Sequence, residues 1–167
     1  MRSLPRSELV DIVDRDDVVQ RTVSRGQMRA ERLRHRAVYV AVVHPDGRLL
    51  IHQRSPLKDV WPSWWDIAVG GVVAAGESYD DAARRELAEE IGVDAQPQPI
   101  GGGSYDDDQV SLIGRCYRVT TTGPFTFADG EVVAAKWVHL AELAGDQRQF
   151  LPDSLSLVLP RLLPVED

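Results

Sequence analysis

The segment from Gly71 to Val93 constrains this chain more than any other, because its glycines and charged residues stand at fixed intervals. Gly71 is followed after five residues by Glu77 and, after seven more, by the run Arg85-Glu86-Leu87-Ala88-Glu89-Glu90-Ile91-Gly92-Val93. A helix fits the second half, because Ser78 can cap its N-terminus, with Asp81 three residues on, and Gly92 can end it. The segment therefore predicts a loop that leads into a helix over residues 78–91.

Three glutamates crowd one side of this predicted helix, since Glu86, Glu89 and Glu90 stand at positions i, i+3 and i+4. At about 100° per residue they point away from the core stripe, onto the flank that meets solvent. Carboxylates this close repel one another unless a cation joins them, and oxygen ligands in this number suit Mg²⁺, with Mn²⁺ as a substitute. The predicted core stripe recurs at every fourth residue: Tyr79, Ala83, Leu87 and Ile91.

An arginine, a further glutamate and two glycines also support a site at this helix. Arg85 can offset the negative charge and hold a glutamate in place, while Glu77 precedes the first turn, where the helix dipole favours a carboxylate. Gly70 and Gly71 end an apolar strand over residues 67–69. Without a Cβ atom, the backbone there can approach the helix and a metal closely.

Composition narrows the class of protein. The chain of 167 residues is long enough for one core and has a formal charge of −7, which argues against binding long nucleic acids. It has no apolar run long enough to span a membrane, and acidic residues interrupt the first twenty positions, where a secretory signal would be apolar. We therefore expect a soluble, cytoplasmic protein. Cys116, the single cysteine, reads as a buried strand residue.

Alternation and turn residues predict the other elements. An N-terminal hairpin is expected at about residues 8–23, a short helix at 27–33, and a buried strand at 37–43 that forms a second hairpin with the strand at 49–54. Prolines and glycines predict a loop over residues 96–103, followed by strands near 110–120 and 132–139. A last helix is expected near residues 153–162, interrupted at Pro160.

The segment 71–93 resembles the Nudix box at every specified position. The resemblance implies an α/β fold, namely an α/β/α sandwich with a mixed β-sheet, here preceded by the N-terminal β-hairpin, in a single domain over residues 1–167. It also implies a hydrolase in which a magnesium-activated water cuts a pyrophosphate bond in a nucleoside diphosphate derivative or a related small organic pyrophosphate. In relatives, the carbonyl of the residue matching Gly71 often binds the metal. The implied metal ligands are therefore Gly71, Glu86, Glu89 and Glu90.

The general base is left open by the sequence. Glu86 or Glu89 would act from inside the box, with Arg85 as a further catalytic residue. Some family members place the base on a later loop instead, and Glu131, within Ala128-Asp129-Gly130-Glu131-Val132, is then the candidate for the base or for an additional metal ligand. A surface glutamate that opens a strand would explain Glu131 equally well.

Residues 33–37, 47–55 and 61–66 look like the branch related to isopentenyl-diphosphate isomerase, and the resemblance extends over residues 8–142. That isomerase uses a cysteine just after the tryptophan motif and a later glutamate, whereas residues 66–73 contain no thiol and Gln109 stands near the place of the acid. His35 matches one histidine of the isomerase metal set but lacks its partners, which favours a structural role. Hydrolysis is thus favoured over isomerisation, and a non-catalytic nucleotide sensor is the other alternative.

Substrate contacts are harder to assign. Arg54 is the best single candidate for a phosphate contact, because the resemblance places the end of its strand near the catalytic helix. The tryptophans at positions 61, 64 and 65 could stack on a base but more often fill the edge of a core. Four arginines at positions 29, 32, 34 and 36 could reach phosphates or form a solvated face. The N-terminal hairpin is compatible with a homodimer, because it could pair across a two-fold axis.

Overall fold

The structure is a computed structural model that describes residues 8–58, 60–127 and 130–163. Its strands are β1 Leu9–Val13, β2 Val19–Ser24, β3 His35–Val43, β4 Leu49–Arg54, β5 Trp65–Asp66, β6 Val69–Val72, β7 Gln98–Asp106, β8 Ser111–Thr120 and β9 Val132–Val138. Its helices are α1 Arg25–Ala30, α2 Tyr79–Ile91, α3 Leu140–Leu143, α4 Pro152–Leu157 and α5 Leu159–Leu162. No helix among the described residues is long and apolar enough to cross a membrane.

Strand β3 organises the mixed sheet. It pairs in parallel with β8 and antiparallel with β6, while β7 adds to the far side of β8. Strand β4 pairs antiparallel with β5 and β9. Strands β3 and β4 share only the pair Val43↔Leu49, so they diverge after their turn and open a cleft. The predicted second hairpin is therefore confirmed only at its closed end.

Side-chain alternation along β3 divides the core into two layers. Val38, Val40 and Val42 pack on the face that α2 covers. Ala37, Tyr39, Ala41 and Val43 pack on the opposite face with Leu157 and Val158 of the C-terminal segment. Helices thus cover both faces of a mixed sheet, which confirms the α/β/α sandwich. The N-terminal hairpin β1–β2 is also confirmed, and it joins β3 through Ile12↔His35.

Helix α2 has the predicted caps. The Ser78 side chain accepts a hydrogen bond from the Asp81 amide at 3.1 Å, and Gly92 adopts a left-handed conformation at φ +72° that ends the helix. In the predicted core stripe, Ala83, Leu87 and Ile91 are buried, whereas Tyr79 is only partly buried. The C-terminal helix is interrupted at Val158, as the nearby proline predicted.

The predicted loop over residues 96–103 is wrong, because most of it belongs to β7. This strand pairs along its length with β8, and the glycines favour that pairing. A Cβ atom on Gly102 would lie 2.4 Å from the Gly114 carbonyl oxygen, so only glycine allows the two backbones to lie so close. Tertiary pairing therefore overrides the local turn preference of glycine.

Two element boundaries also differ from prediction. Helix α1 begins at Arg25, because the Ser24 side chain caps it by accepting a hydrogen bond from the Gln27 amide at 3.1 Å. Gly70 and Gly71 lie inside β6 and do not end a strand before it. A Cβ atom on Gly70 would lie 1.9 Å from the Val38 carbonyl oxygen, which explains why β6 carries glycine opposite β3.

Candidate active site

The three glutamates of α2 differ in exposure. Glu86 is 1% exposed and Glu90 is 8% exposed, whereas Glu89 is exposed. The prediction that all three meet solvent is therefore wrong for Glu86 and Glu90. For Glu86 the cause is Gly71 of β6, because a Cβ atom there would lie 2.7 Å from Glu86 Oε1. Glycine leaves room for a buried carboxylate between helix and strand.

Arg85 ties the acidic residues together. Its Nε donates to Glu77 Oε2 and its Nη2 to Glu77 Oε1, both at 2.8 Å, which makes a two-pronged ion pair. Its Nη1 donates to Glu86 Oε1 at 2.9 Å and to Glu89 Oε2 at 3.3 Å. Burial tends to raise the pKa of Glu77, but the hydrogen bond from Arg85 lowers it below its usual value. The guanidinium thus fixes Glu77 as a carboxylate that anchors the loop before α2.

The surroundings of Glu86 disfavour the ionised form of its carboxylate. Burial, followed by the charge of Glu90, raises the pKa of Glu86 to about 8, although Arg85 opposes this shift. Its Oε2 is buried and has no hydrogen-bond partner within residues 8–58, 60–127 and 130–163. A buried, unpartnered carboxylate oxygen is costly unless a cation or a proton neutralises it. This carboxylate oxygen would suit a hard divalent cation as a ligand.

Glu90 is held from two sides. Its Oε2 accepts a hydrogen bond from the Gly70 amide at 3.1 Å, and its Oε1 lies 3.5 Å from His52 Nε2. Burial opposes protonation of His52, but the hydrogen bond and charge of Glu90 raise its pKa above the usual value. Sequence reasoning missed His52, although a lone histidine in the apolar strand β4 was a usable signal.

The peptide groups of β6 alternate between α2 and β3. The Gly70 amide binds Glu90, and the Val72 carbonyl accepts from Arg85 Nη2 at 3.3 Å. In an antiparallel ladder, the N–H and C=O of one residue point to the same side. We therefore expect the Gly70 carbonyl to face the carboxylates and the Gly71 carbonyl to face its partner Val38. Metal binding by Gly71 stays a prediction from the resemblance.

A cavity of about 80 Å³ occupies the cleft where β3 and β4 diverge. Gly70 and Gly71, which contact Glu90 and adjoin Glu86 respectively, line it, and Arg54 at the end of β4 lines it too. Arg54 donates from Nη2 to the Val60 carbonyl at 3.1 Å, while its Nε is buried without a partner in the part of the chain that the structure describes. The predicted phosphate contact thus lies on the same cavity as the box glycines.

Glu131 directly precedes β9. Its carboxylate forms an ion pair with Lys58, and its carbonyl accepts from the Ser55 amide at 3.0 Å. The preceding Ala128 and Asp129 lie outside the described residues. Among the described residues, no three histidine, cysteine or acidic side chains converge on one point, and Arg85 bridges Glu86 and Glu89. Glu131 contacts Lys58 and Ser55, whereas the α2 carboxylates contact Arg85, the Gly70 amide and His52.

The tryptophans, His35 and the arginines that the sequence analysis singled out differ in the contacts they make. Trp61 lines the cavity and stacks on Trp64 at 6.3 Å between ring centroids, whereas Trp65 packs under Arg148. His35 is buried, with Nδ1 3.0 Å from the Leu33 carbonyl oxygen, and burial lowers its pKa to about 3. An imidazole kept neutral by burial and by the charge of Arg29 fits the structural role expected for it. The arginines at positions 32 and 36 bind Asp107 and Asp17, while the arginine at position 29 lines the cavity.

Comparisons with known proteins agree with this geometry. The NUDIX domain model matches residues 33–158. The Nudix hydrolase YfcD of Salmonella typhi is 39% identical over 155 residues, which covers 92% of this chain and 84% of that protein. The crystal structure of DR0079 from Deinococcus radiodurans superposes with a TM-score of 0.77 at 27% identity, over 94% of this chain and 100% of that one. The NUDIX domain of Shewanella oneidensis NrtR, complexed with ADP ribose, shares the fold with a TM-score of 0.59 at 21% identity, over 75% and 84% of the two chains.

Proposed function

The chain belongs to the NUDIX family of hydrolases, and we propose that it cuts a pyrophosphate bond in a nucleoside diphosphate derivative or a related small organic pyrophosphate, with Mg²⁺ as its metal. The observation that carries this proposal is Glu86, a buried carboxylate with an unpartnered oxygen beside Gly71 and Glu90. A cation at that place would relieve the charge repulsion and the missing contact together.

Glu86, Glu89 and Glu90 would hold the metal, which supplies charge neutralisation at the diphosphate and lowers the pKa of a bound water. Mn²⁺ would serve as a substitute. Arg85 orients Glu86 and Glu89 through one nitrogen, and release of Glu89 from that contact would let the carboxylates converge. Arg54 supplies positive charge on the cavity wall, where a phosphate of the substrate would bind.

For the general base we favour Glu89, because it is the exposed glutamate of the three and water can reach it. Glu86 is buried, and its raised pKa favours the protonated form near neutral pH in the absence of a cation. Glu131 is already paired with Lys58, so its carboxylate would have to leave that ion pair to contact a water.

The substrate class draws support from a protein of the same fold. NrtR from Shewanella oneidensis is seen in complex with ADP ribose, a small molecule whose diphosphate joins two sugars. The cavity in the cleft has polar walls of both charge signs, which suits a polar small molecule. A single domain over residues 1–167, a cytoplasmic location and a homodimer stay predictions from the sequence. Residues 1–7 and 164–167 of that domain lie outside the described part of the chain.

The test is hydrolysis of a panel of nucleoside diphosphates and nucleoside diphosphate sugars, with Mg²⁺ and with a chelator. We expect phosphate or monophosphate release only with the metal. The double variant Glu89→Gln/Glu90→Gln should lose about 4 kcal/mol of transition-state stabilisation, or roughly 1000-fold in rate. The matched control is Glu31→Gln, which changes an exposed glutamate outside the site. Unchanged turnover in the double variant would remove the proposed site.

The same panel separates the alternatives. A nucleotide sensor would bind a panel compound tightly by calorimetry and leave it intact after long incubation with Mg²⁺. An isomerase would convert isopentenyl diphosphate into dimethylallyl diphosphate, which the absence of a thiol in residues 66–73 argues against.

A further inference from the structure

The cleft cavity has an acidic end that the proposed metal site does not use. Asp66 of β5 and Asp153 of α4 line this cavity together with Tyr39 of β3. These residues come from three distant parts of the chain and meet only because β3 and β4 diverge. The same cavity reaches Gly70 and Gly71, next to the α2 carboxylates. A ligand in the cavity can therefore contact both regions.

One of the two carboxylate oxygens of Asp153 accepts no hydrogen bond from the described residues. Its side chain is 7% exposed, and its Oδ2 accepts a hydrogen bond from the Tyr39 hydroxyl at 2.8 Å. Its Oδ1 is buried and has no partner in the described residues. A buried carboxylate oxygen without a donor is destabilising, and a ligand that donates a hydrogen bond would remove that cost.

Asp66 adds a second buried acceptor at the same end. It is 8% exposed, and its Oδ1 accepts from the Ala68 amide at 3.0 Å. Burial, followed by the charge of Asp66, raises the pKa of Asp153 to about 6, so Asp153 is mostly ionised at pH 7.5. An ionised carboxylate only accepts hydrogen bonds. The ligand group that fits here must be a donor.

The charged residues that line the cavity, together with its size, limit which hydrogen-bond donors a ligand can place there. Arg54 lines the same cavity and would repel a cationic ligand group, which favours a neutral donor such as a hydroxyl. A cavity of about 80 Å³ holds several water molecules or a small polar group, but it is small for a two-ring base. In a nucleoside diphosphate, the group bonded directly to the diphosphate is the hydroxylated sugar, while the base lies one group further away.

Resting on the proposed function, we propose that Asp153 and Asp66 form a sugar-hydroxyl subsite, in which Asp153 Oδ1 accepts a hydrogen bond from a hydroxyl of the sugar attached to the scissile diphosphate. Carboxylates recognise ribose hydroxyls in this way in other nucleotide-binding folds. Tyr39 positions Asp153 by donating to its other oxygen. The two aspartates set selectivity for the sugar and take no part in cutting the bond.

The test compares ribonucleoside diphosphates with their 2′-deoxy and 3′-deoxy counterparts in the presence of Mg²⁺. We expect kcat/KM to fall at least tenfold for one of the deoxy compounds, since a buried acceptor is then left unpaired. In Asp153→Asn, which preserves shape, the ratio of ribo to deoxy kcat/KM should shrink at least fivefold. A purely structural role for Asp153 would lower both rates and leave the ratio unchanged. Asp94→Asn, at an exposed carboxylate that pairs with Arg84, is the matched control and should keep the wild-type ratio.

Failure of this proposal is distinguishable from failure of the proposed function. Equal kcat/KM for all three sugars in the wild-type protein would overturn the subsite and leave the hydrolase intact. If no diphosphate is cut, binding of ribose 5-phosphate and 2-deoxyribose 5-phosphate, followed by NMR titration, tests the subsite alone. Preferential binding of the ribose compound that Asp153→Asn removes would support it, and equal binding of both would overturn it.

Discussion

The acidic residues of α2 and those of the cleft cavity are satisfied in different ways. In α2, Arg85 contacts Glu77, Glu86 and Glu89 at once, so negative charge is balanced by a side chain of the same helix. In the cavity, Asp153 has a neutral tyrosine as its hydrogen-bond donor and Asp66 has a backbone amide. The α2 arrangement holds carboxylates and a guanidinium together at the proposed metal site. The cavity arrangement leaves a carboxylate oxygen that can accept a hydrogen bond from a neutral group.

This difference shows what each region is built to bind. In α2, the hydrogen bond from Arg85, the charged clamp of that region, lowers the pKa of Glu77, whereas burial and the charge of Glu90 raise the pKa of Glu86 despite the same guanidinium. A site with neutral donors leaves the carboxylate pKa values raised by burial, as for Asp66 and Asp153. Substitutions in the two regions should therefore have different signatures, in turnover for α2 and in stability and selectivity for the cavity.

The largest effect is expected for Glu86→Gln, which removes the buried carboxylate of the proposed metal site. Turnover with Mg²⁺ should fall roughly 1000-fold. Because the folded-state pKa of Glu86 is raised from 4.5 to about 8, its charging weakens the metal-free fold as pH rises through that window. Thermal unfolding at pH 8 with a chelator should therefore show the variant at least as stable as the wild type. Lower stability with normal turnover would assign Glu86 a structural role only.

Arg85→Lys tests the charged clamp. Lysine cannot make the two-pronged pair with Glu77, so we expect turnover to drop about 100-fold, a typical cost of losing a residue that orients metal ligands. The free energy of unfolding should fall by about 2 kcal/mol, as measured by chemical denaturation. Arg84→Lys, at the adjacent exposed arginine, serves as the control and should change neither quantity. Wild-type turnover in Arg85→Lys would show that the clamp is dispensable.

Asp153→Asn tests the cavity. The folded-state pKa of Asp153 is raised from 3.8 to about 6, so the folded state holds this proton more tightly than the unfolded state. Wild-type stability should then decline as pH rises between these values, by up to about 3 kcal/mol. The variant should lack that decline and be about 2 kcal/mol more stable at pH 7.5 in urea unfolding. Parallel pH profiles of the two proteins would contradict the buried, ionised carboxylate.

The smallest effect is expected for Glu131→Gln, at the residue directly before β9. Because Lys58 already engages this carboxylate, we expect turnover to fall less than about fivefold. Steady-state kinetics over a range of pH is the measurement. A drop of about 100-fold, with loss of the acidic limb of the pH profile, would instead make Glu131 the general base.

The sequence predicts the features of α2 better than it predicts those of the cleft cavity. Helix α2 was predictable because its signals are local: Ser78 and Gly92 cap it, and the glutamate spacing shows its acidic side. The depth of Glu86 was not, because it depends on Gly71, a residue of a neighbouring strand with no Cβ atom. Local periodicity gives the direction of a side chain on a helix but not what the next element places against it.

The cavity was beyond prediction for a related reason. Asp66 and Asp153 are far apart in sequence and no motif links them, and they meet where two strands diverge. Strand β7 was likewise missed, because its glycines have turn-like local preferences that pairing with β8 overrides. Long-range pairing decides these features, and a single sequence does not display it.

The single pair Val43↔Leu49 between β3 and β4 also bears on how such a protein can diversify. The two walls of the cleft belong to separate ladders, one carrying the glycines that face α2 and the other carrying Arg54 and Asp66. Amino-acid changes accumulated in the second wall can therefore alter which molecules bind, while the glycines beside the proposed metal site are inherited unchanged.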